Sequence, residues 1–161
     1  MIREESIRIP FRFAAGRAGS RMLTALRDDK QILGSHCPAC VRTLAPARPF
    51  CPDCGGENLK TVNLGPGAVL VSWTEVPGRG LFALVRPDGA DTEMIHKLLG
   101  RSDDFHIGAR LRAVFAAERR GHIADLEGFE RDPGGAALPS EPKPPTAFLP
   151  SPSTGPRRGT R

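Results

Sequence analysis

Two cysteine pairs constrain this chain more than any other feature. Cys37-Pro38-Ala39-Cys40 is followed, after ten residues, by Cys51-Pro52-Asp53-Cys54-Gly55. Two residues between cysteines let a tight turn aim both thiolates at one ion, and amides within the turn stabilise the sulfur charge. The glycine after Cys54 relieves crowding as the chain leaves. Four thiolates close a tetrahedral shell and leave no position for water or substrate, so Cys37, Cys40, Cys51 and Cys54 predict one structural zinc ion. Iron in a rubredoxin-like centre is the alternative the same donors allow. Val41 to Arg48 is long enough for a strand and its return, which makes the segment a zinc ribbon. His36, beside Cys37, reads as a strand residue because the sulfurs already fill the shell.

The cysteines are not needed to rescue a miniprotein. The chain has 161 residues, and a core of about 130 buries a respectable interior on its own. Hydrophobic residues make up 39%, and eight of the 16 prolines fall in residues 132–161. That stretch reads as a disordered Pro-rich tail. Within it Pro139 to Pro152 favours polyproline II, with Phe148 and Leu149 either as anchors for a partner surface or as part of an unbound, solvated tail. Residues 1–131 carry 19 Lys or Arg against 16 Asp or Glu, while the tail carries four against two. The net charge of +5 counts the cysteines as neutral, and four thiolates with one zinc(II) remove two positive charges from the folding part. No apolar leader opens the sequence and no run approaches the roughly 18 apolar residues of a membrane span, so a cytoplasmic protein is expected. In that reducing setting four cysteines read as metal ligands or redox thiols rather than structural disulfides.

Around the cysteines the pattern is mainly β. Residues 6–13 alternate loosely, and a short helix is expected from an N-cap at Ser20, with Met22, Leu23, Ala25 and Leu26 as its apolar stripe. A strand over 31–35 leads into the first cysteine pair. Beyond the second pair, strands are expected at 62–64 with 68–76, then 81–86, 92–98, 109–117 and 122–129, with a helical turn at 103–106. Gly65-Pro66-Gly67, Pro77-Gly78-Arg79-Gly80, Pro87-Asp88-Gly89 and Arg120-Gly121 supply the reversals. Val69, Val71 and Trp73 should share one face of the first long strand. Leu111, Ala113 and Phe115 should share one face of a later strand, with Arg110 and Arg112 on the other. Five strands in about 70 residues, with no room for crossover helices, fit an OB-fold barrel. The expected units are an N-terminal segment with a helix (1–35), the zinc ribbon (36–60), the OB-fold (61–131) and the tail (132–161).

Signatures of nucleotide binding and of hydrolases are missing: there is no Walker loop, no Gly-x-Ser-x-Gly elbow and no Gly-x-Gly-x-x-Gly. His96, His106 and the Asp103-Asp104 pair are the residues that could act as acids or bases, but none has a spaced partner. No catalytic residue is assigned.

The run from Ser20 through Leu26-Arg27-Asp28-Asp29-Lys30-Gln31-Ile32-Leu33-Gly34, the cysteine pairs, and Pro46-Ala47-Arg48-x-Phe50 between them resemble a bacterial and archaeal zinc-ribbon/OB-fold family described as acyl-CoA-associated. Gly89-Ala90-Asp91-Thr92, Ile107-Gly108-Ala109-Arg110-Leu111 and Arg119-x-Gly121-x-Ile123-x-Asp125 follow in the family's order. The resemblance covers about residues 6–130. It implies a non-catalytic accessory subunit of a thiolase-type acyltransferase that assists acyl-CoA binding and assembly, with an aromatic acylsuccinyl-CoA thiolase as one partner of the type. It also implies that the four cysteines are the metal ligands. The connection between the first two barrel strands, often long in relatives, is only Pro77-Gly78-Arg79-Gly80.

Acyl-CoA carries phosphates, and guanidinium forks suit them, so Arg110, Arg112, Arg119 and Arg120 are the candidate ligand residues. The competing function is a nucleic-acid-binding ribbon and barrel. Against it stand the absence of Tyr, a single Trp placed among core residues, and a weak charge on the folding part.

Overall fold

A computed structural model describes residues 9–10 and 12–135. The alternation over 6–13 and the tail beyond Gly135, with Phe148 and Leu149, lie largely outside the described residues.

Helix α1 (Gly16–Asp28) buries Met22, Ala25 and Leu26, spaced to fall on one face. It starts four residues before Ser20, which is an exposed interior residue rather than the cap. The N-cap is Ala15, whose side chain makes no capping hydrogen bond. Half-buried Ala18 and Gly19 continue the packed face towards the N-terminus, so packing rather than a hydroxyl sets the start. At the other end the amides of Asp29 and Gln31 donate to the Ala25 carbonyl at 3.0 and 3.2 Å.

Strands β1 (Ile32–Cys37), β2 (Arg42–Leu44) and β3 (Lys60–Leu64) form an antiparallel sheet in the order β2-β1-β3. Gly34 permits the close approach at its centre, since a Cβ there would lie 2.7 Å from the Leu44 carbonyl oxygen and 3.0 Å from the Leu64 side chain.

Strands β4 (Gly67–Val76), β5 (Gly80–Pro87), β6 (Met94–Leu99), β7 (Arg110–Phe115) and β8 (Leu126–Arg131) close into a barrel in the order β4-β5-β6-β8-β7. β6 and β8 run parallel, and β7 returns to pair with β4. This is the five-stranded Greek-key barrel expected of an OB-fold. The β4–β5 turn is tight, with the Arg79 amide donating to the Val76 carbonyl at 2.9 Å.

Two differences from the expected strands have local causes. The register of β4 against β5 jumps between Leu70 and Ser72, so Val71 is an extra residue. Before the bulge Leu70 faces Val85, and after it Trp73 faces Ala83. Val85 and Ala83 are both buried, so the bulge turns Trp73 towards the core while Val69 and Val71 lie on the other phase. Val69, Val71 and Trp73 therefore do not share a face.

The second difference is at residues 122–125, expected as strand. Ile123–Asp125 is a 3-10 turn, and β8 begins at Leu126. Buried Asp125 accepts from the backbone amides of Arg120, Gly121 and His122 at 2.7–3.1 Å, drawing the chain into a loop around its carboxylate.

The helix, the small sheet and the barrel share one core. Leu26, Ile32, Ala45 and Leu64 join Leu70, Val85, Leu111, Leu126 and Phe129 in a single buried cluster. The outer edge of β2 is closed by the β5–β6 loop. The Thr43 amide donates to the Asp91 carboxylate and the Asp91 amide to the Thr43 carbonyl, both at 2.8 Å. Thr92 does the same for Ala45, accepting from its amide at 2.8 Å and donating to its carbonyl at 3.1 Å. Four hydrogen bonds thus pair an edge that would otherwise stay open. They also explain why β6 begins at Met94 rather than at Thr92.

Burial alone would raise the Asp125 pKa, but the amides of Arg120, His122 and Gly121 outweigh it and hold the carboxyl below its ordinary value. A depressed folded-state pKa stabilises the protein at pH values above the unfolded value of about 4. The contribution disappears as pH falls through the lower folded value. Urea midpoints measured from pH 7 down to pH 3 should fall less steeply for Asp125→Asn than for the parent chain, with the variant already weaker at pH 7.

Candidate metal centre

The first cysteine pair is the turn of the β1–β2 hairpin: Cys37 ends β1 and pairs across with Arg42. The second pair lies on the return segment between β2 and β3, where the Gly55 amide donates to the Cys51 carbonyl and the Cys51 amide to the Gly56 carbonyl, both at 2.9 Å. Each turn leaves its second cysteine through the left-handed region, at Val41 (φ 52°) and Gly55 (φ 70°). The Arg42 guanidinium pairs with the Asp53 carboxylate and ties one turn to the other.

All four sulfurs lie within 4.8 Å of one another. Cys37 and Cys54 are separated by 3.7 Å, and Cys51 and Cys40 by 3.9 Å. A zinc–sulfur bond of about 2.3 Å gives a tetrahedron with edges of about 3.8 Å, so the spacing fits the ion. Cys37 and Cys51 are buried, Cys40 is half-buried and Cys54 is exposed, so the shell sits at the ribbon tip with one side towards solvent.

The electrostatics of the sulfurs call for a cation. The backbone amide of Cys40 donates to the Cys37 sulfur and lowers that thiol to about 7. Cys40 is pushed up to about 12, first by hydrogen bonding with the Cys54 sulfur and then by burial. Four thiolates at this spacing repel one another, and a dication relieves that repulsion. The four-cysteine cluster is a structural zinc site in a rubredoxin-like ribbon.

His36 stands outside this shell, with its Nδ1 3.2 Å from the Thr43 hydroxyl. His96 packs edge-on against Phe129, with ring centroids 6.1 Å apart, and burial lowers its pKa. His106 is an exposed turn residue whose carbonyl accepts from the Ala109 amide. Asp104 accepts from the Arg101 amide at 3.1 Å and closes the 3-10 turn Ser102–Asp104, leaving Asp103 exposed beside it.

The four candidate arginines all have acceptors within the chain. Arg110 makes a forked pair with Asp88 at 2.7 and 2.6 Å, and Arg112 pairs with Glu130 at 2.7 Å. Arg119 donates to the carbonyls of Arg27 and Ala116 at 2.7 and 2.9 Å, and Arg120 pairs with Glu118 at 3.1 Å. Arg110 and Arg119 link separate parts of the fold, whereas Arg112 and Arg120 are exposed. Sequence reasoning missed the Arg42–Asp53 tie and the strained backbone of Val41. The second had a signal: Val41 holds the position in the first turn that Gly55 holds in the second.

Residues 25–60 match the family model for the ChsH2 rubredoxin-like zinc ribbon domain. No curated protein matches the chain. Among solved structures, a chain of the Ltp2-ChsH2(DUF35) aldolase is similar at 21% identity and a TM-score of 0.53, covering 74% of this chain and 98% of that one. A DUF35-family protein of unknown function from Sulfolobus solfataricus is similar at 21% identity and a TM-score of 0.56, covering 73% and 87%.

A β-branched residue in the left-handed region carries a cost of about 1–2 kcal/mol that glycine avoids. Val41→Gly should therefore raise the unfolding free energy of the zinc-loaded protein, by roughly 1 kcal/mol after the entropy of a freer unfolded chain is deducted. Guanidinium titration with zinc content measured in parallel checks this.

Proposed function

The chain carries a ChsH2-type zinc ribbon on a five-stranded barrel, and from that premise we propose that it is a non-catalytic accessory subunit of a thiolase- or aldolase-type enzyme, assisting acyl-CoA binding and assembly of the complex. The observation that carries this reading is the closed four-sulfur site, which has no coordination position left for a reacting group. The fold extends over 98% of a chain of the Ltp2-ChsH2(DUF35) aldolase. Nothing in the barrel's His and Asp contacts described above pairs a nucleophile with a base, so the chemistry is assigned to the partner.

Within this reading the units are the N-terminal segment (1–35), the ribbon (36–60), the barrel (61–131) and the tail (132–161), working in the cytoplasm. A thiolase that cleaves an aromatic acylsuccinyl-CoA is the finer partner assignment. Cys37, Cys40, Cys51 and Cys54 hold the zinc. Of the four barrel arginines, Arg112 and Arg120 are the ones free enough to exchange a surface carboxylate for a ligand phosphate, because such exposed pairs contribute little to stability. Arg110 and Arg119 are engaged in the fold.

Affinity capture of the tagged full-length chain from its own cells should recover a thiolase- or aldolase-type subunit in a fixed ratio. The chain alone should show no acyl-CoA cleavage or condensation. Capture of the chain without such a subunit, or turnover by the chain alone, would contradict the assignment.

A further inference from the structure

A second basic feature lies away from the barrel arginines. A cleft of about 180 Å³ opens between the first turns of α1, strands β1 and β3, and the return segment of the ribbon. Arg17, Arg21 and Arg48 line it, with Glu57 as the one carboxylate on its wall. Arg17 and Arg48 have no ion-pair partner among the described residues, in contrast to Arg27, Arg42, Arg110, Arg112 and Arg120. Three guanidiniums facing one carboxylate leave the cleft with a net positive charge.

All three arginines are exposed, and the fold fixes the backbone of one and lightly tethers the side chain of another. Buried Ser35 accepts from the Arg48 amide and donates to the Arg48 carbonyl, both at 2.9 Å, so the backbone carrying that guanidinium is fixed on two sides. Arg21 reaches the Thr61 hydroxyl at 3.5 Å across the cleft. The first turn of the 13-residue helix contributes Arg17 and the cleft-lining Ala18. It contains no acidic residue, and Ala15 at its N-cap makes no side-chain capping bond, so the helix dipole adds to the positive potential.

We propose that this cleft is an anion site that takes a phosphate or pyrophosphate group of a small ligand. Guanidinium forks match phosphate oxygens in pairs, and a helix start supplies further N–H donors. The volume suits a small anion or the charged end of a ligand rather than a whole nucleotide, whose pockets run to about 300–1,000 Å³. Free pyrophosphate and a phosphorylated cofactor such as coenzyme A present the same chemistry. The site goes beyond the accessory role, because it belongs to the isolated chain and stands or falls without the partner enzyme.

Isothermal titration of the zinc-loaded full-length chain with inorganic pyrophosphate, and separately with coenzyme A, tests it. Pyrophosphate should bind with an affinity that falls as salt is added. Arg17→Gln and Arg48→Gln should each weaken it by about tenfold, with zinc content and thermal midpoint unchanged. Arg79→Gln, in the β4–β5 turn outside the cleft, should leave it unaltered. Coenzyme A binding with the same arginine dependence identifies a phosphorylated cofactor as the source, and binding of pyrophosphate alone identifies the free anion. Absence of binding by both probes, or equal loss in Arg79→Gln, would overturn the proposal.

Discussion

The mutual repulsion of four sulfurs, and its relief by one zinc ion, is the constraint on which the ribbon depends. The β1–β2 hairpin and the return segment have few apolar residues of their own to bury near the tip, where Val41 and Phe50 are exposed. Without a cross-link between the two cysteine turns, a three-residue strand such as β2 would have little to hold it. The ion converts two short turns into one rigid tip. The Arg42–Asp53 pair adds a polar tie over the same junction.

That tip is joined to the barrel by two quite different means. One is apolar: Ile32, Ala45 and Leu64 from the small sheet enter the same core as Leu70, Leu111 and Phe129 from the barrel. The other is polar and directional, with Asp91 and Thr92 occupying the backbone groups of Thr43 and Ala45 as a neighbouring strand would. The apolar contact supplies most of the association energy and the hydrogen bonds set the register. In the proposed accessory role, a ribbon of fixed orientation would meet a partner without an ordering cost at each encounter.

The sequence was most informative where chemistry dictates spacing. Cysteine pairs must fold back on one ion, so the metal site could be read before any geometry was known. Proline and glycine pairs marked the barrel turns for a similar reason. What escaped was set by tertiary context. The bulge at Val71 reverses the faces of Val69 and Trp73 without any glycine or proline to announce it. The loop around Asp125 overrides an alternating pattern because three backbone amides find one carboxylate. Helix α1 begins at a residue without capping chemistry because its packed face extends past Ser20. The cleft arginines were invisible for another reason: residues 17, 21 and 48 are brought together only when the helix packs on the ribbon sheet.

The central claim is that zinc organises the ribbon, whereas the closed barrel holds together through its own strand pairing. Amide hydrogen exchange on the full-length chain, before and after zinc removal by a strong chelator, tests this most directly. Protection should fall across the ribbon sheet, including the amides of Thr43 and Ala45 that the Asp91–Thr92 loop engages. Amides of β4, β5 and β8 in the barrel should keep theirs. Unchanged protection at Thr43 and Ala45, or simultaneous loss throughout the barrel, would contradict the account.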